Sequence, residues 1–170
     1  HLQTFYLGVA VESIHYQRGG NLLETTEALV AGAHELSQVR IVYANGLHIY
    51  VNGSTEESWD ITVDEETIYH LPPASFLAHG AEGLLVYSAD AGQGRIDFVQ
   101  CDDYLYCDTR GERLTVGPIT VRGAAVVTHQ DWQIDVYPID TTEAIELEPA
   151  AIWDDRRLPS LRVLAYRDDA

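Results

Sequence analysis

The sequence predicts a mainly β fold, an antiparallel β-sandwich with one helix near the N-terminus. Three observations support this prediction. Asn45-Gly46 lies between two runs of β-branched and aromatic residues, which is the strongest short-range signature of a hairpin. From residue 39 onward the hydrophobic period changes from that of a helix to two. Turn residues then divide the chain at short, fairly even intervals, which favours a sandwich over alternating strands and helices.

The N-terminal part is predicted to contain one strand and one helix. Residues 5–14 are apolar on both faces, which is typical of a buried strand in a parallel sheet. After a Gly-Gly pair, Asn21 and Glu24 have the spacing of a capping box, which opens a helix of about four turns ending near Ser37. Five side chains at helical spacing form its predicted buried stripe: Leu22, Leu29, Val30, Ala33 and Leu36.

The remaining chain is predicted to be a series of strands. A two-residue type I′ turn at Asn45-Gly46 would place one set of side chains on one face, namely Val42, Ala44, Leu47, Ile49 and Val51. The other face would hold Val39, Ile41, Tyr43, His48 and Tyr50. Strands are expected at 39–44, 47–52, 58–63, 67–71, 74–78, 84–89, 94–99, 104–108, 113–117, 119–127, 132–137 and 161–166. The stretch 140–160 is predicted to be a loop or surface excursion.

The charge balance limits the partners of the chain. Ten basic residues, all of them Arg, stand against 27 acidic ones, giving a net charge of −17 among 170 residues. Such a surface repels nucleic-acid phosphates and anionic lipid. No apolar run approaches the ~20 residues of a membrane-spanning helix. The acidity indicates either adaptation to salt or bound cations, or a solubilising surface encoded by a GC-rich genome.

Several segments of the chain follow each other in an order known from one class of protein. They are residues 45–52, 57–60, 69–78, 83–89 and 104–111. In this order they resemble the β-sandwich domain that follows the catalytic barrel in large secreted bacterial glycoside hydrolases. The resemblance covers roughly half the chain and rests on packing and turn residues. It therefore implies a fold and a context rather than an activity.

This resemblance implies two regions and an accessory role. Residues 1–37 would be the tail of a catalytic barrel or an arm used in assembly, and residues 38–170 would be the sandwich domain. The chain is expected to be a non-catalytic accessory domain of a secreted carbohydrate-active enzyme. Its expected partners are the catalytic domain and polysaccharide. The chain contains no Met, and its first residue is His. These two features predict a mature secreted form, a proteolytic fragment or an excised piece.

A second hypothesis explains the same features by assembly. The chain would be a stand-alone extracellular β-sandwich subunit that donates its apolar segment 5–14 to the sheet of a neighbouring copy. Calcium or another cation would screen the repulsion between such acidic copies. The two hypotheses differ in whether the partner is a catalytic domain or the chain itself.

Two residues suggest catalysis. Glu12 follows an apolar strand, where barrel enzymes carry catalytic carboxylates, but glycoside hydrolysis requires a second carboxylate that the sequence does not identify. A free N-terminal His1 would chelate copper through its amine and ring, as in copper-dependent polysaccharide oxidases. The second histidine ligand would come from one of six others: His15, His34, His48, His70, His79 or His129.

A group of potential ligands lies between Cys101 and Cys107. The two cysteines, with Asp102, Asp103 and Asp108, offer sulfur and oxygen ligands. Zinc needs four ligands in paired spacing, which one cysteine pair does not supply, whereas calcium would take the carboxylates. The alternative is that these Asp residues form turns. The two cysteines are either a disulfide closed by a turn or two reduced structural thiols.

Aromatic and glycosylation motifs complete the set of candidate sites. Trp153, in a segment bounded by Pro149 and Pro159, is the best candidate for an exposed platform that stacks on sugar rings. Trp59 and Trp132 lie in strand-like alternation and are predicted to be core. Asn52-Gly-Ser matches an N-glycosylation acceptor, and a turn at the end of the hairpin explains it equally well.

Overall fold

The computed structural model describes residues 2–63, 67–90, 94–102, 104–130, 133–139, 142 and 144–152. Within these residues the helices are α1 (Leu2–Tyr6), α2 (Thr25–Ala31) and α3 (Pro149–Ile152). The strands are β1 (Val11–Arg18), β2 (Asn21–Glu24), β3 (Gln38–Tyr43), β4 (His48–Asn52), β5 (Trp59–Thr62), β6 (Ile68–Leu71), β7 (Ser75–His79), β8 (Leu85–Asp90), β9 (Arg95–Cys101), β10 (Tyr104–Val116), β11 (Ile119–Gln130), β12 (Gln133–Ile139) and β13 (Ile145–Leu147).

The strands form one antiparallel sheet. Its main path runs β12-β11-β10-β9-β8-β7-β4-β3-β1-β2, while β13 pairs with β11, and β6 joins β5 to β8. Most neighbours in the sheet are also neighbours in the chain, because short turns return each strand beside the previous one. The predicted class, a mainly β antiparallel fold with a helix near the N-terminus, is confirmed.

The larger core lies between layers of this sheet. One cluster contains buried side chains of β4, β7, β8 and β9. The β5–β6 hairpin and both ends of the β10–β11 hairpin contribute to the same cluster. The pairing of β10 with β11 shifts register between Asp108 and Arg113, and such irregularities bend a hairpin. The sheet therefore covers its own inner face, as in a sandwich. The largest members include Tyr50, Trp59, Leu71, Leu77, Tyr87, Phe98, Ile119 and Val121.

A smaller core lies on the opposite face and holds α1. Leu47, Ile49, Ala78 and Val86 are buried there, and Leu2, Phe5 and Tyr6 of α1 pack against them. The amide of Asn45 donates a hydrogen bond to the carbonyl oxygen of Phe5 at 2.8 Å. The hairpin loop thus anchors the N-terminal helix to the sheet.

The hairpin forms at the predicted place with a different turn. The Gly46 N–H donates to the Tyr43 carbonyl at 2.9 Å, and the Tyr43 N–H donates to the Leu47 carbonyl at 2.9 Å. Gly46 has φ +80°, while Asn45 is not among the residues with positive φ. This is a three-residue loop ending in a left-handed glycine, whereas a type I′ turn requires positive φ at both central residues.

The longer loop shifts the register by one residue and corrects the predicted faces. Val42 pairs with His48, Ile41 with Ile49, and Arg40 with Tyr50. A one-residue shift moves a whole strand to the other face relative to its partner. One face of the hairpin therefore holds Val39, Ile41, Tyr43, Leu47, Ile49 and Val51, and the other holds Gln38, Arg40, Val42, His48, Tyr50 and Asn52.

The predicted N-terminal strand and long helix are wrong in detail. Residues 5–14 contain the end of α1 and the start of β1, which is antiparallel to β2 and β3 rather than part of a parallel sheet. Asn21–Glu24 is a strand instead of a capping box, because its backbone pairs with β1. The helix α2 has seven residues and ends at Gly32, which has φ +69°.

Most later strands match their predicted positions within one or two residues. The segments 104–108 and 113–117 prove to be one long strand, β10. β13 and α3 lie in the stretch that was predicted to be a loop. Trp132 and the predicted strand at 161–166 lie outside the described residues. Across the part of the chain that is described, every helix is too short or too polar to cross a bilayer.

Candidate functional site

The most unusual group of side chains lies on one face of the neighbouring strands β1, β3, β4 and β7. Arg40 of β3 pairs with His15 of β1 on one side and with Tyr50 of β4 on the other. His48 of β4 pairs with His79 of β7. Directly paired residues project to the same face, so these five side chains are neighbours. We refer to His15, Arg40, His48 and His79 as the Arg–His cluster.

The cluster is held together by short contacts. Nη2 of Arg40 lies 3.3 Å from Nδ1 of His48. The guanidinium carbon stands 5.7 Å from the centre of the Tyr50 ring. The His79 ring stacks on Tyr50 at 5.8 Å with an interplanar angle of 11°, and its centre lies 5.2 Å from that of His48. Tyr50 in turn touches the buried Trp59, so the inner core fixes the base of the cluster.

Three polar atoms of the cluster are buried and have no hydrogen-bond partner among the described residues. They are Nδ1 of His15, Nε of Arg40 and Nε2 of His79. No other described side chain has such an atom. Buried polar groups in folded proteins are nearly always paired, because each unpaired one costs about 1–3 kcal/mol. Three together on one face therefore mark a site where a ligand or water would complete the hydrogen bonds.

The electrostatics keep the two central histidines neutral near pH 7. Burial lowers the pKa of His48, and the charge of Arg40 lowers it further, while Glu12 acts in the opposite direction. The pKa of His79 is lowered first by burial, then by His48 and Arg40. Arg40 forms no ion pair in the described part of the chain. The permanent positive charge of Arg40 therefore lies beside the neutral imidazoles of His48 and His79.

Glu12 lies at the rim of this site. The register between β1 and β3 shifts between Val11 and Ser13, so Glu12 is the extra residue of a β-bulge. The pKa of His48 is lowered overall, and the charge of Glu12 partly opposes that lowering, so Glu12 lies within electrostatic reach of the cluster. Glu12 itself is exposed. The sequence analysis gives Glu12 as a catalytic candidate, and the structure relates it to His48 of the cluster.

Cys101 and Cys107 do not form a disulfide in this fold. Cys107 is fully buried in the larger core, whereas Cys101 packs against the smaller core on the opposite face of the sheet. Burial, with Asp108 and Asp97 nearby, raises the pKa of the Cys107 thiol to about 12. Of the two alternatives left open by the sequence, the structure supports two reduced thiols.

The acidic residues near the cysteines are dispersed. Asp108 accepts a hydrogen bond from the Arg110 backbone N–H at 2.8 Å, which is the turn-forming role. Asp102 lies in a depression of about 190 Å³ that is also lined by Cys101 and His129. The described residues contain no group of three His, Cys, Asp or Glu side chains arranged to hold a metal ion. Asp103, His1 and Trp153 lie outside the described residues, so their predicted roles stay predictions.

Asn52 serves the structure and not a glycan. Its side chain is fully buried, and its amide donates to the carbonyl oxygens of Glu57, Leu71 and Pro72 at 2.8, 2.9 and 3.0 Å. A glycan needs this amide to be exposed. The match to a glycosylation acceptor therefore reflects the loop that follows the hairpin.

A second feature is the set of exposed apolar side chains in the N-terminal part of the chain. Nine large hydrophobic side chains are exposed among the described residues, and six of them lie within residues 7–30. We name these six the N-terminal apolar residues: Leu7, Val11, Ile14, Leu22, Leu29 and Val30. Of the predicted helical stripe only Ala33 is buried, whereas Leu29 and Val30 are 59% and 88% exposed. The predicted buried stripe is wrong for this chain on its own.

In the sequence the three histidines are indicated only as alternative copper ligands, and Arg40 is not among the candidate residues. One signal was present, because Arg40 interrupts the otherwise apolar run from Val39 to Tyr43. The sequence pattern does not show the register between β3 and β4, and this register places Arg40 beside His48. In comparisons with known proteins, no family model, curated protein or solved structure matches the chain.

Proposed function

We propose that the chain is a non-catalytic accessory domain of a secreted carbohydrate-active enzyme, and that its N-terminal apolar residues dock onto the catalytic domain. The observation that carries this proposal is the exposure of Leu29 and Val30 at positions with the hydrophobic spacing of a buried helix face. The resemblance of five segments between residues 45 and 111 to the sandwich that follows a catalytic barrel supplies the nature of the partner.

Energy and charge both favour a catalytic domain as the occupant. Covering a Leu or Val side chain contributes about 1.5–3 kcal/mol, so the pair on α2 alone is worth several-fold more than a surface ion pair. A second copy of this chain would bring another net charge of −17 to the interface. That repulsion disfavours a dimer through this surface at ordinary ionic strength.

The rival hypothesis of assembly by strand donation loses part of its motive. Val11 and residues 13–16 pair with β3 of the chain's own sheet, and α1 packs on the chain's own smaller core. Assembly would then use the exposed edge strand β2 instead of a donated segment. Size-exclusion chromatography in calcium and in chelator separates the two, because large assemblies of the chain alone would favour the rival.

Hydrogen exchange tests the docking directly. The chain is expressed alone and within the complete reading frame that contains it, and amide exchange is compared over β1, β2 and α2. We expect slower exchange of these amides in the longer protein, and hydrolysis of polysaccharide by the longer protein only. Equal exchange in both forms, or hydrolysis by the 170-residue chain itself, would refute the proposal.

A pair of matched variants localises the surface. Leu29→Ser with Val30→Ser should lower the melting temperature of the longer protein while leaving that of the isolated chain nearly unchanged, because both side chains are already exposed in the latter. Ile68→Ser is the control, since Ile68 is 66% exposed on β6, away from the N-terminal apolar residues. An equal effect of control and test variants would contradict the assignment.

A further inference from the structure

We propose that the Arg–His cluster is a binding site for the carboxylate of a small organic acid or an acidic sugar. Arg40 offers a buried Nε–H, and imidazole tautomers can place hydrogens on Nδ1 of His15 and Nε2 of His79, so three donors lie on one face of the sheet. A carboxylate accepts several such hydrogen bonds at once. The four cluster residues are each only partly buried, but the three donor atoms are not exposed, so these side chains would turn outward to meet a ligand.

The charge of the site selects a single carboxylate over more highly charged anions. Arg40 supplies one positive charge, and its planar guanidinium suits carboxylate geometry. The neighbouring titratable groups are His15 and the bulged Glu12 on β1, His48 and Tyr50 on β4, and His79 on β7. Glu12 and the net charge of −17 oppose the approach of a dianion such as phosphate more strongly than that of a monoanion.

The arrangement also distinguishes Arg40 from three other described arginines. Arg110 and Arg113 are paired with Asp97 and Glu146. Arg95 is directed to Oγ of Ser88 and to backbone carbonyls. Arg40 has three histidines and a tyrosine around it, and its hydrogen bond goes to a neutral imidazole. An arginine with this surrounding retains the charge needed to attract an external carboxylate.

Imidazole NMR titration tests the site with sodium acetate and sodium glucuronate against sodium chloride at the same ionic strength, with glucose as the uncharged control. We expect both carboxylates to raise the pKa of His48 and His79, because a nearby anion favours the protonated imidazole. Tighter binding of glucuronate would identify an acidic sugar, an assignment that rests on the proposed function. Equal affinity for acetate and glucuronate would identify the ligand as a small organic acid. The carboxylate site would then stand even if the proposed accessory role is wrong.

Variants confine the effect to the cluster. Arg40→Gln should weaken carboxylate binding by about tenfold or more, since a charge-assisted hydrogen bond is lost. Arg18→Gln is the matched control, because Arg18 is an exposed arginine of β1 outside the cluster. If Arg40→Gln fails to fold by circular dichroism, His15→Gln takes its place. The proposal is overturned if chloride or glucose shifts the histidines as much as acetate does, or if the two arginine variants bind alike.

Discussion

The substitution Asn52→Asp tests how much one buried side chain contributes to this fold. The Asn52 amide nitrogen donates to the carbonyl oxygens of Glu57, Leu71 and Pro72. Its oxygen accepts from Nε2 of Gln38 at 3.2 Å and from the backbone N–H of Ser54 at 3.2 Å. One amide therefore connects β3, β4, the loop before β5 and the end of β6.

The magnitude follows from the atoms that change. Aspartate has nearly the volume of asparagine, so no cavity forms and the packing cost is small. Two N–H donors disappear, and each unpaired buried partner costs about 1–3 kcal/mol. The new carboxylate also faces three carbonyl oxygens, which adds a desolvation and repulsion cost or keeps the acid protonated. We expect the free energy of unfolding to fall by about 4 kcal/mol, a large part of the 5–15 kcal/mol typical of a domain.

Urea unfolding at pH 7, followed by circular dichroism, measures this loss. The midpoint should fall while the slope with denaturant stays constant, because the native fold is retained. Asn21→Asp is the matched control on the exposed strand β2 and should change stability by less than about 0.5 kcal/mol. A loss below about 1 kcal/mol for Asn52→Asp would show that the five hydrogen bonds do not act as described.

Three further predictions concern the loops, the thiols and the histidines. Gly80→Ala should lower the free energy of unfolding, measured with urea, by about 3 kcal/mol. Gly80 has a φ of +119°, and a Cβ at this position would lie 2.3 Å from a backbone oxygen of the hairpin loop. A near-neutral result would contradict this contact. A thiol reagent should modify Cys101 in the native protein and Cys107 only after unfolding, since Cys107 is 0% exposed with a raised pKa; equal rates would exclude the burial. The lowered pKa values of His48 and His79 mean that the folded state binds fewer protons than the unfolded state. The free energy of unfolding should therefore fall as the pH drops through the unfolded pKa near 6.5. His79→Gln should flatten this pH dependence, and an unchanged slope would assign the effect to other groups.

Local patterning was sufficient to locate most of the strands. Alternation of apolar and polar side chains and the turn residues between them act over a few residues, so they are visible without the partner strands. The Asn45-Gly46 hairpin, the strands from Trp59 to Val116 and the core position of Trp59 could be predicted for this reason. β13 was missed because its three residues carry too short a pattern, and only its pairing with β11 makes it a strand.

The N-terminal region shows where tertiary pairing overrides a local pattern. Asn21 and Glu24 have capping-box spacing, yet β1 offers an adjacent edge, and residues 21–24 complete it as β2. The apolar periodicity of Leu29 and Val30 predicted a buried helix face, yet both side chains are exposed in the described structure. The partner that would bury it is not found within the described residues, so the pattern alone could not decide the helix length or its environment.

The sequence by itself determined that the chain would be mainly β, acidic and divided by regular turns, because composition and period are properties of short segments. The tertiary structure alone decided which faces meet. A three-residue loop at the hairpin, instead of a two-residue one, shifts β3 against β4 by one position. Since side chains alternate along a strand, that single step removes Arg40 from the face of Leu47 and Ile49 and places it beside His48 and Tyr50.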